Sequence, residues 1–344
     1  MTTDFTEIPV IDFGHFSNGT NEEKLKVAKE IGEACRNVGF FYLKNHDVPQ
    51  QLTKDAFAQA KRYFALPLDV KMKHAMGPPP DGESRGFSPF LTEKFAAKGD
   101  YKETFHFALE LSKDDPDVKK GAVLYGPNQW PDLPGFREVI YDGYYLAVKE
   151  LANKLCRAFA LALNLPEDYF VSLTDKPMAN MSVMWYPPQS RDEPIDPHLL
   201  GEDLNQNRCG AHTDYGGFTL LQQTENITAL QVKNIEGKWI DAKPIEGAFV
   251  VNIADTMQRW TNDQFVSTIH RVINLGHNER YSIGLFFGPN YFTNIDCLPT
   301  CFDNVKNPKK YKPILAGDFI MSRIVDGHTP KFDEFDLENV PAEQ

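Results

Sequence analysis

The sequence predicts an α+β chain: an N-terminal helical region with short strands (residues 1–177), a jelly-roll β-barrel (178–293) and a C-terminal extension (294–344). Three observations predict it. Amphipathic helical periodicity dominates the first half. From about residue 178, short apolar segments separated by Gly, Asn and Pro replace it, the pattern of a barrel or jelly roll. At 344 residues with 42% hydrophobic content, the chain can bury a large core without disulfides.

Taken in order, Ile8–Phe13 reads as a short strand with Pro9 at its edge. Asn21–Val38 reads as an amphipathic helix: Leu25, Ala28, Ile31, Ala34, Cys35 and Val38 recur at three-to-four spacing, and Glu22 and Glu23 favour the N-terminal turn. Gly39 stops it. Phe40–Leu43 is a strand, and Asn45, His46 and Asp47 form a turn. A second helix runs from about Gln51 to Phe64. Residues 77–100, rich in Gly, Pro and Ser, read as loop. After Pro134 comes a long, kinked helix whose buried stripe includes Phe136, Val139, Ile140, Leu151, Leu155, Ala158, Phe159 and Ala162. Barrel strands are expected over Met181–Tyr186, Thr219–Gln223, Leu230–Lys233, Ala248–Ile253, Thr268–Asn274 and Tyr281–Phe287. One short helix is expected after about Asp318, before an acidic tail.

The formal net charge of -12 argues against a nucleic-acid partner and an anionic membrane surface, both of which call for clustered Lys and Arg. No run approaches the roughly 18 apolar residues of a membrane span, and the opening residues lack a basic-then-apolar signal pattern. The five cysteines, Cys35, Cys156, Cys209, Cys297 and Cys301, are odd in number and show no paired spacing, which fits reduced thiols in a cytoplasmic protein. Monomer and homodimer are both compatible with this composition.

The chemistry concentrates in two places. His212 and Asp214 are two apart, so strand alternation points both into one barrel, and Gly216 and Gly217 then turn the chain. His270, 56 positions after Asp214, supplies a third ligand type on a distant strand. Two imidazoles and a carboxylate occupy one face of an octahedron and leave the opposite face open, which suits Fe(II) and O2. An isolated His-x-Asp, or a lone His, is more often a satisfied polar residue. What strengthens the set is Arg280 and Ser282, ten positions beyond His270 and on one face of the next strand. A buried Arg meets a carboxylate bidentately, and a hydroxyl adds a hydrogen bond.

In this order of motifs the chain resembles the Fe(II)/2-oxoglutarate oxygenase superfamily, in its isopenicillin N synthase-like branch. The resemblance extends to Ile8–Asp12, Gly39–His46, Asn252–Asp255, Thr261-Asn262 and Ser267–Val272. It implies a double-stranded β-helix, with iron on His212, Asp214 and His270, and with the distal carboxylate of 2-oxoglutarate on Arg280 and Ser282. Tyr186 matches a tyrosine that commonly touches the co-substrate; a core aromatic with its hydroxyl paired is the equal alternative. Met184 departs from the Asn of many plant members. The implied reaction is oxidation of a small organic molecule, most often hydroxylation, with 2-oxoglutarate and O2 giving succinate and CO2. An iron oxidase that dispenses with 2-oxoglutarate, a non-catalytic small-molecule binder and a zinc hydrolase are the alternatives.

The substrate pocket is less determined. Phe286 shares the face of Arg280 and Ser282 and is expected to line the cavity, as are Arg85 and Phe87 in a covering segment, Ser84–Phe90. Ser190–Arg208 reads as a lid or a surface loop. His46, His106, His198 and His277 are read as structural or surface residues.

Overall fold

A computed structural model describes residues 3–77, 85–93, 100–188, 207–273 and 277–326. The expected lid Ser190–Arg208 falls almost wholly outside these, as do Ser84, His198, Asn274 and the acidic tail.

Twelve strands build two sheets. They are β1 (Val10–Asp12), β2 (Phe40–Lys44), β3 (Gly86–Ser88), β4 (Glu103–Ala108), β5 (Pro177–Tyr186), β6 (Asn207–His212), β7 (Phe218–Gln223), β8 (Leu230–Lys233), β9 (Trp239–Asp241), β10 (Phe249–Ile253), β11 (His270–Ile273) and β12 (Arg280–Asn290). The major sheet has the order β1-β2-β10-β7-β12-β5-β4-β3, and the minor sheet β6-β11-β8-β9. Apart from the parallel β1–β2 pair, neighbours are antiparallel. Phe40, Tyr42, Met184, Tyr186 and Val250 of the major sheet share a buried cluster with Cys209, Leu230, Val232 and Val272 of the minor one. The two sheets therefore face each other, and the fold is a double-stranded β-helix. Period-two alternation sorts the strands: one face turns into this cavity, and in the major sheet the other packs onto the helices.

The helices cover the outer face of the major sheet. Helix Asn21–Asn37 starts on a capping box in which Glu23 N–H donates to Thr20 Oγ1 and Thr20 N–H donates to Glu23 Oε2. Its buried stripe is Val27, Ala28, Ile31, Ala34 and Cys35; Leu25, expected in it, is instead 54% exposed. The expected kink after Pro134 is a π-helical segment, Glu138–Tyr145, running into the α-helix Leu146–Ala162. The C-terminal helix is Ala316–Asp326. None of the described helices is long and apolar enough to cross a membrane.

Two expectations need correction. Residues 77–100 are not all loop, since Gly86–Ser88 forms β3. The N-terminal half also gives four strands to the major sheet, including β4, whose sequence Glu-Thr-Phe-His-Phe-Ala alternates cleanly.

Gly39 shows how tightly the halves are joined. Its φ is +74°, and a Cβ would lie 2.3 Å from the Val266 carbonyl oxygen and 2.5 Å from Thr268 Oγ1. Neither the torsion nor the contact tolerates a side chain. Gly39→Ala is expected to cost about 3 kcal/mol or more of stability, measured by denaturant unfolding; a loss under about 1 kcal/mol would show that the backbone relaxes freely.

Candidate active site

His212 ends β6 and His270 begins β11, and the register sets them directly opposite each other. Their ring centroids are 4.3 Å apart. Asp214 lies just past β6, in the turn rather than in the strand expected for it. That turn is pinned at both ends: Gly217 N–H donates to Phe287 O at 2.8 Å, and Asp255 N–H donates to Asp214 O at 2.8 Å. A Cβ at Gly217 would stand 3.1 Å from the same Phe287 oxygen, so the close approach favours glycine.

Asp214 Oδ1 then sits 3.5 Å from His212 Nε2 and 3.6 Å from His270 Nε2. Ligands about 2.1 Å from one metal at right angles stand about 3 Å apart, so small movements close this set. It is the one cluster of metal-binding geometry among the described residues. Each ligand is held from behind. Asp214 Oδ2 accepts from Thr219 Oγ1 at 2.5 Å and from Asn252 Nδ2 at 2.7 Å; those two residues are cross-strand partners on β7 and β10. His212 Nδ1 lies 2.7 Å from Gly210 O, and His270 Nδ1 lies 3.1 Å from Thr268 O. Donation from both Nδ1 atoms leaves both Nε2 lone pairs free for a metal. Burial works to raise the Asp214 pKa, but the two imidazoles outweigh it and hold the carboxyl well below its usual range. The edge of Phe40 rests on the His270 ring, with centroids 5.2 Å apart.

The second site lies on the facing wall, on β12 and β5 of the major sheet. Arg280 is fully buried. Its guanidinium stacks over the Tyr186 ring at 4.7 Å, and Nη2 donates to Gln223 Oε1 at 3.0 Å. Among the described residues its Nε and Nη1 meet no acceptor. Burial pulls its pKa below the usual range, yet a guanidinium stays charged. A buried cation with two idle donors is costly unless an anion arrives, and a carboxylate fits two parallel N–H donors. Ser282, on the same face and also buried, adds a hydroxyl. Tyr186 Oη and Ser282 Oγ lie 3.4 and 3.9 Å from the Met184 sulfur, so this flexible thioether fills the place beside the anion site. Gly284 follows Ser282 on the inner face, where a Cβ would stand 3.2 Å from Leu221 Cδ1 and 3.6 Å from Phe286 Cε2; Phe286 is half-buried there and pairs with Asn180 and Thr219.

Arg85 and Phe87 do not line this cavity. Arg85 is buried with its guanidinium on the carbonyls of Gly126 and Leu124. Phe87 is fully buried in the outer core against Tyr63. On β3, alternation turns Gly86 and Ser88 inward instead, opposite His106 and Thr104.

A polar network missed from sequence borders the metal ligands. Asn180 Nδ2 donates to Ser182 Oγ, which lies 2.8 Å from His106 Nδ1; His106 Nε2 lies 2.7 Å from Glu93 Oε1. Lys102 Nζ reaches Glu93 at 2.9 Å and Asp100 at 2.7 Å. Burial opposes the Lys102 charge, but Cys209, Glu93 and Asp100 outweigh that and hold its pKa well above the usual range. Glu93 is held low, against its burial, by Lys102 and His106. The only sequence signal was His106, on an alternating segment. By contrast His46 is structural as expected, with Nε2 2.9 Å from Gly247 O.

Two family profiles match the chain. One is described as the non-haem dioxygenase in morphine synthesis N-terminal, over residues 8–133, and the other as the 2OG-Fe(II) oxygenase superfamily, over residues 176–289. The chain is 38% identical to the 2-oxoglutarate-Fe(II) type oxidoreductase hxnY of Emericella nidulans, covering 92% of this chain and 88% of that one. It is 33% identical to homoarginine-6-hydroxylase 2-ODD-C23 of Glycine max, covering 94% and 98%. Among solved structures it is similar to a full-length Neurospora crassa protein in complex with alpha-KG and thymine, at 31% identity and a TM-score of 0.80, covering 94% and 98%.

Proposed function

This chain belongs to the 2OG-Fe(II) oxygenase superfamily and is an Fe(II)- and 2-oxoglutarate-dependent dioxygenase, and on that premise we propose that it hydroxylates a small polar molecule beside Phe286. The observation that carries the reading is the convergence on one cavity of the His212–Asp214–His270 cluster, at the minor sheet, and a buried Arg280 on the facing major sheet whose Nε and Nη1 meet no acceptor among the described residues.

In this reading His212 Nε2, Asp214 Oδ1 and His270 Nε2 hold the iron, and Arg280 with Ser282 takes the distal carboxylate of 2-oxoglutarate. Tyr186 supports the guanidinium through its ring face. The bound iron supplies the redox chemistry that couples O2 and 2-oxoglutarate, giving succinate and CO2, to insertion of one oxygen atom into the substrate. The protein's share is placement and dryness. Thr219 and Asn252 keep Asp214 from rotating.

Substrate is expected over Phe286, with hydrogen-bonding groups turned to Asn180 and the Ser182–His106 pair. A small ring or amino-acid-like metabolite fits that wall, in keeping with the thymine bound by the Neurospora protein and the homoarginine in the name of the soybean relative. The test is a metabolite-library screen for Fe(II)-dependent succinate release with product mass. Gain of about one oxygen atom is expected. A product two hydrogens lighter would replace hydroxylation by desaturation, and no succinate above the substrate-free rate with any polar metabolite would remove the substrate assignment.

A further inference from the structure

β6 carries a bulge just before its metal-facing histidine. On β11, His270 and Val272 stand two residues apart, whereas their β6 partners, His212 and Cys209, stand three apart. The register gives neither Gly210 nor Ala211 a partner on β11. A bulge takes residues out of the ladder and re-aims a side chain, and its freed backbone groups must be satisfied elsewhere. For Gly210 the partners are specific. Its N–H donates to Asp100 Oδ1 at 3.1 Å, and its carbonyl takes His212 Nδ1 at 2.7 Å. A glycine restricts its own torsions least of all residues, so these two tethers decide where that carbonyl points.

Asp100 is in turn gripped by Lys102 Nζ at 2.7 Å, and both side chains are almost without exposure. Lys102 also reaches Glu93 at 2.9 Å and the Cys209 sulfur at 3.8 Å, so the pair is anchored to the wall and to β6 itself. Taking such charges out of water is expensive, and a buried ion pair is weak evidence for stability. What it supplies here is geometry.

We propose that Asp100, held by Lys102, is a positioning residue for the metal ligand His212. The inference rests on the reading of His212 as an iron ligand. By fixing the N–H side of Gly210, Asp100 fixes the carbonyl that receives Nδ1–H. The ring is thereby held in one tautomer and one orientation, with Nε2 towards the metal.

The test uses the full chain without O2. Fe(II) is titrated in the presence of 2-oxoglutarate, and the visible charge-transfer band of the ternary complex reports binding. Asp100→Ala is expected to weaken Fe(II) binding about 10- to 100-fold, while 2-oxoglutarate affinity at saturating Fe(II) stays within about twofold. Asp100→Asn keeps an oxygen for the Gly210 N–H and is expected to recover most of the loss. If the alanine variant does not fold, Lys102→Met carries the same comparison, with about a 10-fold loss of Fe(II) affinity expected. The inference is overturned if Asp100→Ala binds Fe(II) as the unaltered chain does, if Asn is as defective as Ala, or if Fe(II) and 2-oxoglutarate affinities fall together. An unaltered chain that binds no Fe(II) overturns the metal-site reading and takes this inference with it.

Discussion

Asp214→Ala is expected to lower Fe(II)-dependent turnover by on the order of 10³-fold or more, at least about 4 kcal/mol of barrier. The size follows from position. Asp214 Oδ1 faces both imidazole nitrogens, at 3.5 and 3.6 Å. Its removal leaves two neutral ligands and no anion to match the metal's charge. It also strands the Thr219 hydroxyl and the Asn252 amide, which both donate to Oδ2. Anaerobic Fe(II) titration together with succinate release checks the result. Asp214→Glu separates the two consequences, because it restores the charge but displaces it by a methylene. Retention of more than about a tenth of the activity by the alanine variant would remove Asp214 from the ligand set.

Arg280→Ala has the opposite selectivity. It is expected to raise the 2-oxoglutarate requirement about 100-fold or more, because truncating one partner of a buried, hydrogen-bonded charge pair costs about 2–5 kcal/mol. Fe(II) affinity in the absence of the keto acid should stay within about threefold, since Arg280 touches none of the metal ligands. Arg280→Lys keeps the charge but loses the planar fork, so it should recover only part of the affinity. The ligand-free protein offers an independent check. There the guanidinium is buried, with Nε and Nη1 unpaired among the described residues, so Arg280→Met, which keeps much of the stem volume, should leave the ligand-free protein at least as stable. A 2-oxoglutarate requirement unchanged in Arg280→Ala would refute the assigned role.

Much of this site was legible in the sequence, for a definite reason. Strand alternation converts spacing into facing. His212 with Asp214, and separately Arg280 with Ser282 and Phe286, could therefore each be given a shared face before any coordinates, and the ordered spacing to His270 pointed to a single constellation. Alternation was less reliable at Asp214 itself, where the strand had already ended and the Gly217–Phe287 contact does the placing. Arg85 and Phe87 failed because a Gly-rich segment gives no clue to register: one residue of slip exchanges inner for outer face, and Gly86 and Ser88 took the inner positions. The Asp100–Lys102–Glu93–His106 network was hidden for a different reason. Charged residues in a loop-like stretch read as solvated, and only the long-range approach of Gly210, 110 residues away, shows that they are buried. The N-terminal strands escaped notice as sheet members because their partners, such as β10, lie some two hundred residues downstream.

The strand order of the major sheet bears on how such a protein can be inherited. The four strands β10, β7, β12 and β5 sit between β2 on one side and β4 on the other, and both flanking strands come from the first third of the chain. A fragment starting near residue 178 would therefore bare two raw apolar edges at once, the condition that invites association with other chains. The oxidising barrel is thus no portable cassette. Its beginning and its end must be made, and must find each other, within one polypeptide.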